Sequence, residues 1–284
     1  MKLLGIVILY YPDATVAQHI RTYLPALDRL IIWDNTPAGS PMPPDAGLAE
    51  KTKIVRMGTG RNAGIGTALN AAVEYGRKNG FTHLLTMDQD SSFAPGDAAR
   101  YKDRVEASGD AGGTCFGVCY RQEDAPPGTG VTAGDWREVK ENITSGSIYP
   151  LAVFERTGLF RDDFFIDAID NEFCFRARRN GYKVLQATDI RMNHTLGYAE
   201  TVPFLWGKCF LLNYSPARTY YIVRNHLLVR KMYPDYRPLY FVRDHIVYRL
   251  AGILLKETEK RKKIRALWLG LYHAWRKRTG EYPE

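Results

Sequence analysis

Apolar residues in the first half of the chain fall in short runs, parted by longer amphipathic or glycine-bearing stretches. That rhythm alternates strand and helix. Leu3–Leu9 is an apolar run of strand character, and Pro12-Asp13 opens a helix reaching about Leu24. A second strand covers residues 30–33 and ends at Asp34-Asn35-Thr36. A proline-rich loop follows (Pro37, Pro41, Pro43, Pro44), and residues 53–57 form a third strand. A helix over about 65–79, stopped by Gly80, leads to a fourth strand at 82–87. Strands separated by helices of this length predict an α/β fold with a mostly parallel sheet and right-handed crossovers.

Past Asp90 the pattern changes. A helix is expected over 95–107 and a strand over 114–120, then a mobile loop or hairpin rich in Gly, Pro and acids over 122–134. Short strands follow at 138–143 and Ser147–Pro150, then helices at 152–157 and at 170–180, the latter stopped by Gly181. From Ser215 onward the chain reads as mainly helical, with breaks near Pro234 and Pro238. The expected organisation is an α/β domain over 1–212, with halves of about 1–110 and 111–212, and a helical region over 213–284.

Charge adds one feature to this outline. Between Lys256 and Arg278 stand nine Lys and Arg against two Glu, which accounts for +7 of the chain's net +8. A general nucleic-acid binder would spread its charge over a face or groove, so that class is set aside. Within the basic segment, Ile264, Leu267, Trp268, Leu271, Tyr272 and Trp275 follow the period of an amphipathic helix. Two readings stay open: an anionic membrane surface met by residues 250–278, or a helix packed on its own domain with a solvated basic face. The four cysteines show no metal or redox spacing and read as reduced thiols of a cytoplasmic protein. Leu3–Leu9 is too short to span a bilayer, and no signal peptide is evident.

Candidate chemistry begins at Leu84-Leu85-Thr86-Met87-Asp88-Gln89-Asp90-Ser91, a strand running into two carboxylates. In an extended backbone Asp88 and Asp90 face the same way and can hold one hard cation, Mg²⁺ or Mn²⁺. Gly58, Gly60 and Gly64 miss the dinucleotide spacing, because the third glycine comes one residue late and the loop follows the third strand. A turn before a helix N-terminus remains, suited to a nucleotide or its phosphates. Carboxylates crowd among aromatics from Phe160 to Glu172. Asp167 and Asp170 lie before or at the start of a helix, where an acid either caps N–H groups or, among apolar neighbours, rises toward the range of a general base. His194 sits in a loop-like setting and is a candidate for a cation site. Arg218, Tyr220, Tyr221 and Arg224 repeat cation and aromatic along a helix that could hold an anionic group.

Together these segments resemble glycosyltransferase family 2, and within it the bacterial rhamnosyltransferase branch. The marks are Ile8-Leu9-Tyr10-Tyr11-Pro12, Asp34-Asn35-Thr36, Arg61-Asn62-Ala63-Gly64-Ile65-Gly66, Met87-Asp88-Gln89-Asp90-Ser91 and Ser145-Gly146-Ser147. Further marks are Phe164-Phe165-Ile166-Asp167-Ala168-Ile169-Asp170-Asn171-Glu172, His194 with Gly197, and Arg218-x-Tyr220-Tyr221-x-x-Arg224-Asn225.

The resemblance implies a GT-A fold, a Rossmann-like nucleotide-binding sheet with helices on both faces, plus the helical C-terminal region. It implies inverting transfer from a nucleotide-sugar, foremost dTDP-β-L-rhamnose, to a hydroxyl of a surface polysaccharide or polyprenyl-linked glycolipid, with Mg²⁺ or Mn²⁺. Tyr10, Asp34, Asn62 and Asp88 would contact the nucleotide, and Arg218 and Arg224 its diphosphate. Asp90, Asp88 and His194 would bind the cation. Asp170 would be the base, with Asp167 competing, since the acid usual just before it is replaced by Ile169. A nucleotidyltransferase, another UDP- or GDP-sugar transferase and a non-catalytic glycan- or membrane-binding protein are the alternatives. Whether the chain forms a homo-oligomer is left open.

Overall fold

The computed structural model describes residues 1–40, 48, 51–109, 114–121, 136–194, 200–204, 207–211, 213–235 and 239–283. The strands are β1 (Leu3–Leu9), β2 (Arg29–Asp34), β3 (Ile54–Gly58), β4 (His83–Asp88), β5 (Ser91–Phe93), β6 (Thr114–Arg121), β7 (Trp136–Glu138), β8 (Ser147–Pro150), β9 (Lys183–His194), β10 (Glu200–Phe204) and β11 (Gly207–Leu211). The α-helices are α1 (Val16–Arg21), α2 (Ile65–Lys78), α3 (Asp97–Ala107), α4 (Val153–Thr157), α5 (Ile169–Arg179), α6 (Pro216–Met232), α7 (Leu239–Leu255) and α8 (Lys260–Trp275).

The chain forms two compact units: Met1–Phe160 with Phe173–Thr195, and Arg161–Glu172 with Leu196–Glu284. The division expected at residue 212 is thus replaced. β9 adds residues up to His194 to the first unit's sheet, and the carboxylate-rich segment 161–172 belongs with the helices.

In the first unit the strand order is β3-β2-β1-β4-β8-β6-β9-β5, with β7 also on β9. β1 through β4 pair in parallel, as expected; α1 lies between β1 and β2 and α2 between β3 and β4. The rest is mixed: β8 runs antiparallel to β4 and β6, and β5 and β7 run antiparallel to β9. Every residue of β1 is buried, so both faces of the sheet are covered. Leu3, Val7 and Leu9 join Val16, Ile20, Tyr23, Tyr101 and Val105 in one core. Leu4 lies on the other face, where Gly76 of α2 approaches so closely that an added Cβ would sit 3.3 Å from its Cδ2.

The strand expected over 138–143 is corrected to Trp136–Glu138. Beyond it, Asn142 crosses over β6 at Gly117, where a Cβ would meet the Asn142 Cγ at 2.3 Å, and donates to the Leu185 carbonyl at 2.9 Å. The loop expected over 122–134 lies outside the described residues, as do Pro41, Pro43, Pro44, Gly197 and Pro238.

In the second unit, β10 and β11 form an antiparallel hairpin, and α6 packs on α8. Pro216 at the first turn and the Ser215 hydroxyl, which accepts from the Arg218 N–H at 3.2 Å, start α6. Gly270 brings α8 against α6: a Cβ there would lie 2.9 Å from the Tyr220 carbonyl oxygen. The buried Glu257 accepts from Arg249 at 2.6 Å and Lys263 at 3.0 Å. The buried residues of α8 are Lys263, Ala266, Leu267, Gly270, His273 and Ala274; of the apolar stripe expected from the sequence, Leu267 is buried and Ile264 and Leu271 pack on the same core, while Trp268, Tyr272 and Trp275 are exposed. Small residues permit the close approach that the aromatics would prevent. Among the described residues no helix is long and apolar enough to cross a membrane.

Candidate active site

The parallel strands β1 to β4 end at one edge of the sheet, where open α/β folds bind ligands. Their register aligns the candidate residues: Leu9 pairs with Asp34, Ile8 with Asp88, and Asp34 with Gly58. Tyr10 follows Leu9 and is half-exposed. The Gln89 side chain ties this edge together, accepting from the Tyr10 N–H at 2.8 Å and donating to the Tyr10 carbonyl at 3.1 Å.

Two asparagines shape the glycine turn. Asn35 is buried; its Oδ1 accepts from the Trp33 ring and the Ala63 N–H, and its Nδ2 donates to the Gly64 carbonyl. The Asn62 Oδ1 accepts from the Gly64 N–H at 3.0 Å, and Gly64, with φ 82°, precedes α2. Asp34 accepts from the Thr36 N–H at 2.8 Å. Tyr10, Asp34, Asn62 and Asp88 are therefore gathered at the edge of one unit.

Asp88, Asp90 and His194 each offer a ligand atom, and these atoms lie within 4.8 Å of one another. Asp88 ends β4 and Asp90 follows in the turn to β5. His194 comes in because Ser91 pairs with it across the β5–β9 ladder. It is the last residue of β9, not part of a loop, which corrects the sequence expectation. Its Nδ1 is 2.9 Å from the Ser91 hydroxyl and 3.4 Å from Asp90 Oδ1. The Ser145 hydroxyl donates to Ser91 at 2.8 Å and accepts from the Asp88 N–H at 3.0 Å, so one serine fixes both strand ends. Gly146 beside it has φ 75°, and a Cβ would meet Val118 Cγ2 at 2.7 Å. Two carboxylates and an imidazole, all only partly buried, fit Mn²⁺ or Mg²⁺ with room for ligand oxygens.

The second unit holds the other candidates. Phe165, Asp167 and Ala168 all adopt left-handed backbone, with φ of 68°, 65° and 62°. Each such non-glycine residue costs on the order of 1–3 kcal/mol, so surrounding structure must hold it. Asn225 does so: its Nδ2 donates to the carbonyls of Phe164 (3.0 Å), Ile166 (2.7 Å) and Asp167 (2.9 Å). Arg224 supports it, donating to the carbonyls of Asp163 (3.3 Å), Phe164 (3.0 Å) and Gly280 (2.5 Å) and to Asn225 Oδ1 (2.8 Å). Phe165 stacks on Tyr221 with ring centroids 5.0 Å apart.

This corrects Arg224. It is 0% exposed, with its donors committed to the carbonyls of Asp163, Phe164 and Gly280, to Asn225 Oδ1 and to the Tyr220 hydroxyl, so it braces this segment. Sequence reasoning missed Asn225 as the clamp. The only signal was its place directly after Arg224 in a run of aromatics, and a buried arginine looks the same as a surface one in a sequence.

Asp167 lies 3.5 Å from Arg218 through Oδ1, while its buried Oδ2 has no hydrogen-bond partner among the described residues. Burial pushes its carboxyl above the usual carboxylate range, against the opposing pull of Arg218. Asp170, half-buried in the first turn of α5, accepts from the Asn171 N–H at 2.8 Å. Arg218 is partly exposed and stacks over the Tyr214 ring at 4.2 Å.

No profile of a known protein family matches the chain. It is 28% identical over 235 residues to the dTDP-rhamnosyl transferase RfbF of Shigella flexneri, covering 76% of each chain. It is 25% identical over 195 residues to the polyprenol monophosphomannose synthase of Mycolicibacterium smegmatis, covering 62% of this chain and 71% of that one. Among solved structures, the mannosyltransferase PcManGT from Pyrobaculum calidifontis, in complex with GDP-Man and Mn²⁺, matches with a TM-score of 0.55 at 14% identity, over 97% of this chain and 74% of that one. S. aureus TarS 1-349 with UDP-GlcNAc matches with a TM-score of 0.55 at 14% identity, over 96% and 81%. Against a longer TarS chain the match spans 44% of its length. The fold is thus the GT-A fold expected from the sequence, with a helical C-terminal region.

Proposed function

We propose that this chain, which its motifs, sequence relatives and fold identify as a bacterial glycosyltransferase of family 2, transfers L-rhamnose from dTDP-β-L-rhamnose with inversion. The acceptor is a hydroxyl of a surface polysaccharide or polyprenyl-linked glycolipid. The observation that carries the reading is the Asp88, Asp90 and His194 cluster on the sheet edge that also bears Tyr10, Asp34 and Asn62. The rhamnosyl donor is supported by the likeness to a dTDP-rhamnosyl transferase. The reaction belongs in the cytoplasm, in keeping with the buried thiols of Cys115 and Cys174.

In this reading Tyr10, Asp34 and Asn62 take the base and ribose. Asp88, Asp90 and His194 hold the cation, and the imidazole in the set favours Mn²⁺ over Mg²⁺, which prefers oxygen ligands. Held there, a divalent ion would supply positive charge for the departing diphosphate, to which the Arg218 guanidinium would add. Asp170 takes the proton of the acceptor hydroxyl as its oxygen bonds to the anomeric carbon and the bond to the diphosphate breaks. Inversion in one displacement needs no enzyme nucleophile.

Assay of transfer from dTDP-rhamnose tests the base. Asp170→Asn should lower transfer by about 10²–10⁴ while donor binding persists. Near-full activity in Asp170→Asn together with loss in Asp167→Asn would move the base to Asp167. A second reading, transfer from a UDP- or GDP-sugar, is favoured by the fold's likeness to proteins solved with GDP-Man and UDP-GlcNAc.

A further inference from the structure

The exposed face of α8 carries Arg261, Arg265, Trp268, Tyr272, Trp275 and Arg276. Successive steps of four, three, four and three residues from Arg261 to Trp275 keep the first five on one stripe of the helix. The aromatic members are 63%, 53% and 67% exposed. The fold instead turns Ala266, Gly270 and Ala274 inward. The Tyr272 and Trp275 rings lie 6.2 Å apart, and the Arg276 guanidinium lies 5.8 Å from the Trp275 ring. Just before this helix, Leu254 and Leu255 end α7 at 52% and 51% exposure. So much large apolar surface is uncommon on a helix that already has its packing face.

We infer that this stripe docks the protein on the surface of an anionic phospholipid bilayer. The chemistry is complementary at both ends. Trp and Tyr rings are amphipathic and settle at the headgroup level, and Arg stacks beside them while facing lipid phosphate. Cationic residues near an anionic leaflet gain about fivefold in binding each, the equivalent of ~1 kcal/mol. The 16 residues of α8 lie along the membrane surface in this arrangement, and no helix among the described residues is long and apolar enough to cross it. The inference goes beyond the proposed transfer and does not depend on which sugar is moved.

The test is cosedimentation of the full chain with phosphatidylcholine vesicles, with and without phosphatidylglycerol. The expected result is binding that requires phosphatidylglycerol and weakens with salt. Trp268→Ser/Tyr272→Ser/Trp275→Ser should lower the partition at least about tenfold. Arg261→Gln/Arg265→Gln should lower it about fivefold per charge removed. Because these side chains are exposed, both variants should melt at the wild-type temperature, which separates lost docking from lost folding. Absence of vesicle binding by the wild type, or wild-type partition in both variants, overturns the inference. So does a change in oligomeric state on substitution without any change in vesicle binding, which would make the stripe an interface between copies.

Discussion

Asp167 and Asn225 show what single side chains contribute. A carboxyl raised in the native state binds its proton more tightly when folded than when unfolded. Its ionisation therefore opposes folding: the penalty is absent at pH below the ordinary carboxylate value and grows as pH rises through the raised native one. Asp167→Asn should accordingly melt above the wild type at neutral pH, with the difference closing on acidification to about pH 3. Melting curves across that range check it, and a variant less stable at neutral pH would show that the Arg218 contact outweighs burial. Asn225→Ala strips the shared donor from three carbonyls and releases three left-handed residues. We expect a loss of about 2–4 kcal/mol in urea unfolding. The sequence shows Asp167 and Asp170 as carboxylates before a helix. It cannot show that Asp167 is held by Arg218, or that Arg224 is enclosed, because both follow from chain segments 51 and 60 residues apart meeting in space.

At the scale of elements, β1 to β4 and α2 are legible because each is a local pattern with its own stop signal, such as Gly80 with φ 66° after α2. β9 is not. Its buried positions, Val184, Ala187, Ile190 and Met192, break strict alternation, and the ladder with β6 shifts register between Val118 and Cys119. β5 is three residues long and exists through pairing with β9. Missing β9 meant reading His194 as a loop residue, although it was already a metal candidate. On α8 the apolar stripe divides: Ile264, Leu267 and Leu271 turn to the core and Trp268, Tyr272 and Trp275 to solvent, because helix approach is limited by volume and Gly270 admits α6 where an aromatic would not. Gly270→Ala tests that distance argument. Alanine gains about 1 kcal/mol of helix propensity, but its Cβ would meet a backbone oxygen at 2.9 Å that cannot swing aside. Overpacking costs about 1–3 kcal/mol, so a lowered melting temperature is expected; a raised one would mean that α8 shifts freely.

At the scale of the whole molecule, the motifs that sequence reading joined are divided between two compact units. The cation and nucleotide candidates sit in the first, and Asp167, Asp170, Arg218 and the Arg224–Asn225 clamp in the second. Order along the chain revealed the set of parts, since motif spacing survives low identity. It did not reveal the division, since segment 161–172 leaves the first unit and the chain rejoins it at Phe173, within α5. The central claim is that Asp88, Asp90 and His194 form a divalent-cation site serving a nucleotide-sugar. It is tested most directly by calorimetric titration of dTDP-rhamnose into the wild type and Asp90→Ala, each with Mn²⁺ and with EDTA. The account predicts tight binding only by the wild type with Mn²⁺. Equal binding in EDTA, or an Asp90→Ala variant that still responds to Mn²⁺, would contradict it.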